Sequence, residues 1–429
     1  MENQEQLDIV RHCIKYMSAI IGQIPTSKYN KIYLKAVFSI DIYTISKVSL
    51  QLNIILENND LYLHISNWKL FCEWFISEGN VTIRKSIVDK IESYLNSYHV
   101  NMNNVMTEYK DNVYIGGCFK YINLLGVVKQ SAFPVLLMSH EYIPTHKVLL
   151  LGKNSYFDQN DFLIWKNRAD KFIVKLKNGI EKEPYLKVKI NVLLSSDISS
   201  ILFHEACGHF LEADMFSQIN SPFSRNDIGH HITSKYVNIH NSCNGIFLGA
   251  DPFDDEGTDG IDQIIVDHGI LENIMVDNYW GKILNTISSG NYRTHTPFAC
   301  SCVRMTNFRM ECSDTTGCMP SNTHDCFILK GINKVIVRDN GDFELHIDEA
   351  FNKYSGEIAF DVIYIDNIRS FLSKICGVGN EEMSFTGSCY KGGIDNTGDT
   401  LPVTNTAVPV YLQDVNMFFK KSKVLSGIS

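Results

Sequence analysis

Residues 201–214 read ILFHEACGHFLEAD, an apolar run followed by two histidines that flank a glutamate. Neutral imidazoles bind zinc, and a carboxylate beside one of them can take a proton from metal-bound water. The stretch therefore predicts a hydrolytic zinc site, with His204 and His209 as ligands and Glu205 beside them.

The spacing of the two histidines differs from that of a regular metal-binding helix. On an ideal α-helix, residues four apart differ by roughly 40° around the axis, and residues five apart by roughly 140°. His204 and His209 can reach one metal only if the helix is distorted, and a glycine at 208 could permit that. Turns with i→i+5 bonding are rare and occur mostly at functional sites. We therefore predict a distorted or ending helix at residues 207–209.

A site of this kind needs a third protein ligand. Cys389 lies in the stretch 387–393, GSCYKGG, whose glycines allow the backbone to approach closely. A thiolate is a good zinc ligand. From the spacing alone two interpretations stay open: Cys389 completes the site, or it is a small residue in a tight turn.

Four ordered stretches resemble motifs of the TldD/PmbA family of zinc metallopeptidases. Residues 204–214 resemble its HExxxH motif with the acidic residues that follow, and residues 254–260 (DDEGTDG) resemble its DDEGT turn. Residues 290–293 (GNYR) and 304–307 (RMTN) resemble its GNGRR and RMTN segments, and residues 387–393 resemble its C-terminal cysteine loop. The resemblance covers over half of the chain, on the TldD-like, metal-binding side.

The resemblance implies that Cys389 is a metal ligand, that Glu205 is the general base, and that the cofactor is Zn²⁺. It implies hydrolysis of unfolded or short peptides, such as leader peptides of modified peptide precursors. It also implies a dimer, either a homodimer or a heterodimer with a metal-free paralogue. The chain departs from the family's Gly-Lys-x-Gly-Gln pattern at Tyr390 and Ile394, which affects the expected substrate contacts more than the metal.

Several polar residues near these motifs are candidates for supporting roles. Glu212 and Asp214 could orient the metal-bound imidazoles, or act as caps or surface charges. Arg293 and Arg304 could bind a peptide carboxylate or carbonyl groups with their planar donors, or pair with the acidic residues of the DDEGT-like turn. Asn307 could bind a substrate strand or a strand of the protein itself.

Other clusters of metal-binding side chains fit known sites less well. The acidic run at 251–262 does not have the spacing of a calcium loop, so we expect a solvated turn. His230 and His231 are adjacent, so their side chains point in different directions. We do not expect metal binding there or at His240. The five cysteines within 300–326 lack the paired spacing of structural zinc sites, which predicts free thiols.

Composition restricts the class of protein. The chain has 429 residues, 45% hydrophobic and 20% charged, which predicts a globular protein of two or three domains. Its net charge of −9 argues against a nucleic-acid partner, and no apolar run is long enough to span a membrane. We expect a cytoplasmic protein, because the acidic N-terminus lacks a secretory signal and twelve cysteines then indicate reduced thiols.

Hydrophobic periodicity predicts an α+β protein, with an N-terminal α/β-type domain at 1–185 and a β-rich C-terminal domain at 186–429 that carries the motif. The resemblance implies that this second domain is a metallopeptidase domain of TldD/PmbA type with the zinc site. The polar stretch 177–184 is the expected connection, and Ser195 offers an N-cap to the motif helix. The predicted helices are 7–22, 84–98, 159–175 and 366–375, with a possible helix within 273–287. The predicted strands are 36–42, 47–55, 112–128, 133–138, 186–194, 263–276, 333–338, 343–347 and 359–366.

Two other classes of protein stay open. One is a non-catalytic subunit of a heterodimer, in which zinc is structural and the chain binds peptides for its partner. A closed four-ligand site would favour this class, whereas an open coordination position would favour the peptidase. The other is an amidohydrolase that acts on a small molecule, which a narrow pocket would favour.

Overall fold

The computed structural model describes most of the chain, in twelve segments. These are residues 3–41, 45–65, 67–97, 109–142, 147–153, 185–245, 247–293, 303–320, 326–352, 354–356, 358–391 and 399–420. The helices are α1 (Asn3–Ile21), α2 (Trp68–Ser77), α3 (Val81–Ser97), α4 (Ser196–Phe203), α5 (Ala213–Phe216), α6 (Asn278–Leu284) and α7 (Ile368–Ser373). None of the described helices is long and apolar enough to cross a lipid bilayer.

The strands form three sheets. They are β1 (Lys31–Asp41), β2 (Ile45–Glu57), β3 (Tyr62–Ile65), β4 (Tyr109–Leu124), β5 (Val127–Tyr142), β6 (Lys147–Lys153), β7 (Tyr185–Leu194), β8 (Val237–Ser242), β9 (Gln263–Asp267), β10 (Ile270–Leu271), β11 (Asn307–Cys312), β12 (Phe327–Val337), β13 (Asp342–Asn352), β14 (Ile358–Asn367), β15 (Ile375–Val378), β16 (Met383–Lys391), β17 (Asp399–Ala407) and β18 (Val410–Lys420).

The described residues up to Lys153 form one compact unit. Its antiparallel sheet has the order β3-β2-β1-β4-β5-β6, and α1, α2 and α3 supply the helical part of its core. Strand β1 buries alternate residues, including Leu34 and Phe38, because successive side chains of a strand point to opposite faces. Helix α1 buries Met17 and Ile20, whose spacing puts them on one side of the helix.

Most described residues from Tyr185 onward form a second compact unit with two six-stranded sheets. One has the order β10-β9-β8-β11-β17-β16, the other β14-β13-β12-β7-β18-β15. All neighbours pair antiparallel except β11 with β17 and β12 with β7. Because β14 also pairs with β18, the five strands β14-β13-β12-β7-β18 close into a ring. This unit holds the motif and the cysteine.

The motif helix α4 follows directly from β7. Ser195 is its N-cap residue, as predicted, but the Ser195 hydroxyl donates to Asp197 and to the Leu329 carbonyl oxygen rather than capping the helix. Asp197 in turn accepts the Gly331 amide at 2.8 Å. These bonds fix the start of α4 against β12, so the position of the motif is set by the second unit's own sheet.

The α+β class and most predicted elements are confirmed, among them the helices at 7–22, 84–98 and 366–375. The helix predicted within 273–287 is shorter, since it is limited to α6. The helix predicted at 159–175 and the connection at 177–184 lie outside the described residues, so the domain boundary at 185 stays a prediction.

Two strand predictions are wrong in detail, each at a tight turn. The run at 112–128 is interrupted at Leu125 and Gly126, which both have positive φ and form the tight turn between β4 and β5. The run at 263–276 is likewise broken by positive φ at His268 and Gly269. Residues 375–391, for which no strand is predicted from the sequence, contain the strands β15 and β16, because interstrand pairing there outweighs the low strand propensity of glycine.

Candidate metal centre

The helix that carries the motif is distorted where the sequence predicts. After α4 the backbone forms a π-turn over His204–Gly208 and then a 3-10 turn over His209–Leu211. The His209 amide donates to the His204 carbonyl oxygen, which is the i→i+5 bond that defines the π-turn. The extra residue in this turn brings the two imidazoles to the same side.

Gly208 serves a different purpose from the one expected. Its φ of −59° and ψ of −70° lie in the helical region, which other residues also adopt, so conformational freedom is not what the position requires. A Cβ atom at 208 would lie 2.6 Å from Cε and 2.9 Å from Sδ of Met305. Glycine is therefore needed for space, because the buried Met305 packs against the turn.

The structure brings His204, His209 and Cys389 together. Their ligand atoms all lie within 4.8 Å of one another, and Cys389 Sγ is 3.4 Å from His209 Nε2. The two imidazole rings stand almost perpendicular, at 87°, with centroids 4.8 Å apart. Among the described residues this is the one group of three His, Cys, Asp or Glu side chains placed to hold a metal ion.

Both imidazoles are oriented through their Nδ1 atoms. His204 Nδ1 donates to Asn405 Oδ1 at 2.9 Å, and His209 Nδ1 donates to Glu212 Oε2 at 3.1 Å. A metal-binding histidine typically uses its second nitrogen in this way, which fixes the tautomer and the ring. The Nε2 atoms are thereby left for a metal, and the donor set of two imidazoles and one thiolate suits Zn²⁺.

Charges within the triad stabilise one another. Burial alone would raise the pKa of the Cys389 thiol, but the two imidazoles beside it hold that pKa well below the ordinary range. Burial likewise disfavours the charged imidazoles, yet the Cys389 sulfur raises the pKa of His204 and of His209, and Glu212 adds to the effect at His209. Without metal the triad thus favours a thiolate beside protonated imidazole.

A buried ion-pair network supports His209. Glu212 is fully buried: its Oε1 accepts the Met305 amide at 2.9 Å, and its Oε2 accepts from Lys391 Nζ at 2.6 Å as well as from His209. Burial alone would raise the pKa of Glu212, but Lys391 and His209 hold it below its usual range. Lys391 also donates to Asp214 Oδ1 at 2.7 Å, so the described contacts tie Asp214 to this lysine rather than to an imidazole.

The predicted substrate-binding residues are nearly buried, and the structure shows them bonded to backbone. Arg304 donates to the Cys389 carbonyl oxygen, and Arg293 donates to the carbonyl oxygens of Met305 and Pro402. Asn307 Nδ2 donates to a carbonyl oxygen at 3.4 Å, while its Oδ1 has no partner in the described part of the chain. The two arginines thus hold the backbone near Cys389, and a role in substrate binding stays a prediction for all three residues.

The acidic run forms a turn, and the expectation that it is solvated is wrong for its first half, whereas Asp259 and Asp262 are exposed. Asp254 is fully buried, and its carboxylate accepts the amides of Glu256, Thr258 and Tyr292. Asp251 and Asp255 are also nearly buried. Since it already satisfies three backbone amides, Asp254 has a structural use that the loop pattern did not reveal.

The remaining candidate ligands do not join a metal cluster in the described residues. His240 pairs with Glu311 at 3.1 Å, and His230 contacts the carbonyl oxygen of Ile228. The ten cysteines that the structure describes form no disulfide with one another, and the prediction of free thiols within 300–326 stays a prediction. Cys300 and Cys302 lie outside the described residues.

Two contributors to the centre, Asn405 and Lys391, were missed from the sequence. Asn405 lies on β17, where it pairs with Phe308 of β11 and Phe385 of β16. No local pattern links a strand asparagine to a histidine 201 residues away. Lys391 is part of the cysteine loop. Its spacing of two residues from Cys389, which puts both side chains on one face of a strand, is the signal that could have identified it.

Comparisons with known proteins identify the family of the chain. A model of the PmbA/TldA metallopeptidase C-terminal domain matches residues 187–403, just over half of the chain. The chain is 24% identical over 352 residues to a zinc metalloprotease TldD homolog of Saccharolobus solfataricus, which covers 75% of each chain.

Two solved structures share the fold at low sequence identity. One is a candidate modulator of a DNA gyrase from Thermotoga maritima, with a TM-score of 0.59, 13% identity, and coverage of 94% of this chain and 99% of that one. The other is TldE from Thermococcus kodakarensis, with a TM-score of 0.57, 11% identity, and coverage of 93% and 99%. Together with the domain match, these findings establish that the chain belongs to the TldD/PmbA family of metallopeptidases.

Proposed function

We propose that the chain is a zinc-dependent peptidase of the TldD-like, metal-binding kind, which hydrolyses unfolded or short peptides. The observation that carries the proposal is the cluster of His204, His209 and Cys389, in which both imidazoles have an Nδ1 partner. The name of the Saccharolobus solfataricus relative, a zinc metalloprotease, supports the choice of metal.

The number of ligands favours a catalytic centre over a structural one. Structural zinc sites are closed by four protein ligands, whereas catalytic sites have three and keep one position for water or substrate. In the described ranges, no fourth His, Cys, Asp or Glu joins the triad. This count supports the peptidase over a subunit in which zinc only stabilises the fold.

Glu205 is the general base of the proposal. It lies in the π-turn next to His204 and is partly exposed, whereas Ala206 and Cys207 after it are fully buried. Zinc, when bound, would supply a Lewis acid that activates water and polarises the scissile carbonyl. The Glu205 carboxylate then takes the proton of the attacking water and passes it to the leaving amine.

The proposal extends to partner and location. The fold shared with TldE supports a dimer, either of two copies or with a paralogue that lacks the metal triad. No disulfide joins the ten described cysteines, which favours a reducing cytoplasm. Leader peptides of modified peptide precursors are the proposed natural substrates.

The test compares the parent chain with Glu205→Gln, using metal analysis and digestion of a peptide library. We expect both proteins to contain zinc and the variant to lose peptide cleavage by about 10²- to 10⁴-fold, the usual contribution of a positioned acid–base group. The exposed Glu272, in a Glu272→Gln variant, provides the matched control.

Three results would argue against the proposal. Unchanged turnover by Glu205→Gln rules out the base role. A zinc-loaded parent that binds peptides and cleaves none is the structural-zinc subunit instead. Cleavage of small amides, with peptides left intact, identifies an amidohydrolase of small molecules.

A further inference from the structure

Lys391 has an unusual set of contacts for a lysine. Its side chain is 9% exposed, and Nζ donates to Glu212 at 2.6 Å, to Asp214 at 2.7 Å and to the Val303 carbonyl oxygen at 2.8 Å. An ammonium has three hydrogens to donate, so these contacts satisfy it completely. A lysine this deeply placed points to a specific electrostatic task, since lysine is rarely buried unless paired.

The first part of that task concerns the Glu212 carboxylate. Glu212 is fully buried and accepts hydrogen bonds from His209 Nδ1 and from the Met305 amide, which suits its ionised form. A buried carboxylate is costly to ionise without a partner of opposite charge. Lys391 lies at hydrogen-bond distance from the same oxygen, Oε2, that accepts from His209.

The second part of the task is to hold the segment of His209 and Glu212 against the strand of Cys389 and Lys391. Cys389 and Lys391 are two apart on β16, so they point to the same face of the strand. Glu212 follows His209 by three residues. The Cys389–His209 contact and the Lys391–Glu212 ion pair therefore join the same two segments at neighbouring points.

We propose that Lys391 is a positioning residue of the metal centre, which pairs with Glu212, aims it at His209 and holds that segment against β16, so that His209 and Cys389 face one metal ion. This inference rests on the proposed zinc site. It assigns Lys391 no contact with substrate and no part in the proton transfer.

The test is the affinity of the full-length protein for Zn²⁺, measured by competition with a chelator, beside the thermal stability of the metal-free protein. We expect Lys391→Met and Glu212→Gln each to weaken Zn²⁺ binding by about 10- to 100-fold, as is typical for partners of metal ligands. The double variant should be no weaker than Glu212→Gln alone, because Lys391 acts through Glu212 and coupled residues are not additive.

A matched control exists in the same unit. Lys420 is 4% exposed and forms an ion pair with Asp361 at 2.7 Å, between β18 and β14. Lys420→Met removes a comparable buried ion pair that does not touch the triad. We expect it to lower thermal stability and to leave the Zn²⁺ affinity at the parent value.

The outcomes separate positioning from simple stabilisation. If Lys391→Met binds Zn²⁺ as tightly as Lys420→Met does, or if the double variant is weakened by the product of the single effects, the inference is overturned. If Lys391→Met does not fold, the double variant of Lys391→Met with Glu212→Gln is measured instead, because it removes both charges of the ion pair. A Zn²⁺ affinity of the double variant equal to that of the parent would then overturn the inference. A protein that binds Zn²⁺ tightly but cleaves no peptide contradicts only the proposed function.

Discussion

Cys389 Sγ lies 3.4 Å from His209 Nε2, although 180 residues separate them in the chain. Cys389 lies on the edge strand β16, which pairs with β17, and β17 pairs in turn with β11. Arg304 donates to the Cys389 carbonyl oxygen. Cys389 thus makes contacts through both its side chain and its backbone carbonyl group.

Cys389→Ala should abolish tight Zn²⁺ binding while the fold is kept. Loss of a direct ligand should cost more than the about 100-fold upper range seen for residues behind a ligand. The measurement is Zn²⁺ affinity by chelator competition, with circular dichroism to follow the fold. Cys376→Ala, a half-buried free thiol on β15 of the other sheet, is the control. Parent-like Zn²⁺ affinity in Cys389→Ala would remove the cysteine from the ligand set.

The second prediction concerns protonation in the metal-free protein. The pKa of Cys389 is held well below the ordinary value of about 8.5, so its charge is present at neutral pH and is lost only as the pH falls through that low value. The pKa of His209 is raised well above 6.5, so its ring stays protonated until the pH rises through the raised value. Ultraviolet thiolate absorbance of the chelator-treated chain should therefore persist at neutral pH and vanish in Cys389→Ala. Absorbance that appears only in alkaline solution would contradict this ion pair.

Asn405→Leu should weaken Zn²⁺ binding by about 10- to 100-fold, because the His204 ring then loses the acceptor that fixes its Nδ1. The loss should appear in the dissociation constant for Zn²⁺ and leave the far-ultraviolet dichroism unchanged. Asn416→Leu on β18, half-buried and outside the centre, serves for comparison. Equal Zn²⁺ affinities for the two variants would mean that the ring is oriented in another way.

The fourth prediction concerns stability. Phe203, the last residue of α4, is fully buried and packs edge-on against Phe371, with ring centroids 5.5 Å apart. Phe203→Ala should destabilise the second unit by about 3–5 kcal/mol, through lost burial and the cavity left behind. Urea unfolding measures the change. Ile219→Ala, at a fully exposed position, should change the free energy of unfolding little. A similar small effect at Phe203 would show that the motif helix is not anchored by this packing.

The sequence predicts those parts of the centre that have a local signature. The distortion between His204 and His209 follows from their spacing alone, because a straight α-helix would point them apart. Cys389 was a candidate on account of its glycine-rich surroundings, and the family resemblance decided between ligand and turn residue.

The parts that the sequence could not predict depend on strand register. Asn405 reaches His204 because β17 lies between β11 and β16, and this order mixes parallel and antiparallel pairs from distant segments. The burial of Asp254 and Arg304 could not be predicted for the same reason. Their hydrogen-bond partners include backbone groups of distant segments, and without these partners a polar loop residue is expected to be exposed to solvent. Local propensity did not predict β15 and β16 either, because these segments contain glycine, which has a low strand propensity.

The π-turn has a further consequence for the whole motif. With one residue fewer between Glu205 and His209, the same histidines would fit the i, i+4 spacing of an ordinary helix. The i→i+5 bond takes up the additional residue within a single turn, so His209 comes to the side of the helix that residue i+4 would occupy. Glu212, three residues beyond His209, keeps its contacts with the Met305 amide and Lys391. The π-turn therefore works as a local insertion: it lengthens the motif by one residue without turning His209 or its supporting carboxylate away from the strand that carries Cys389 and Lys391.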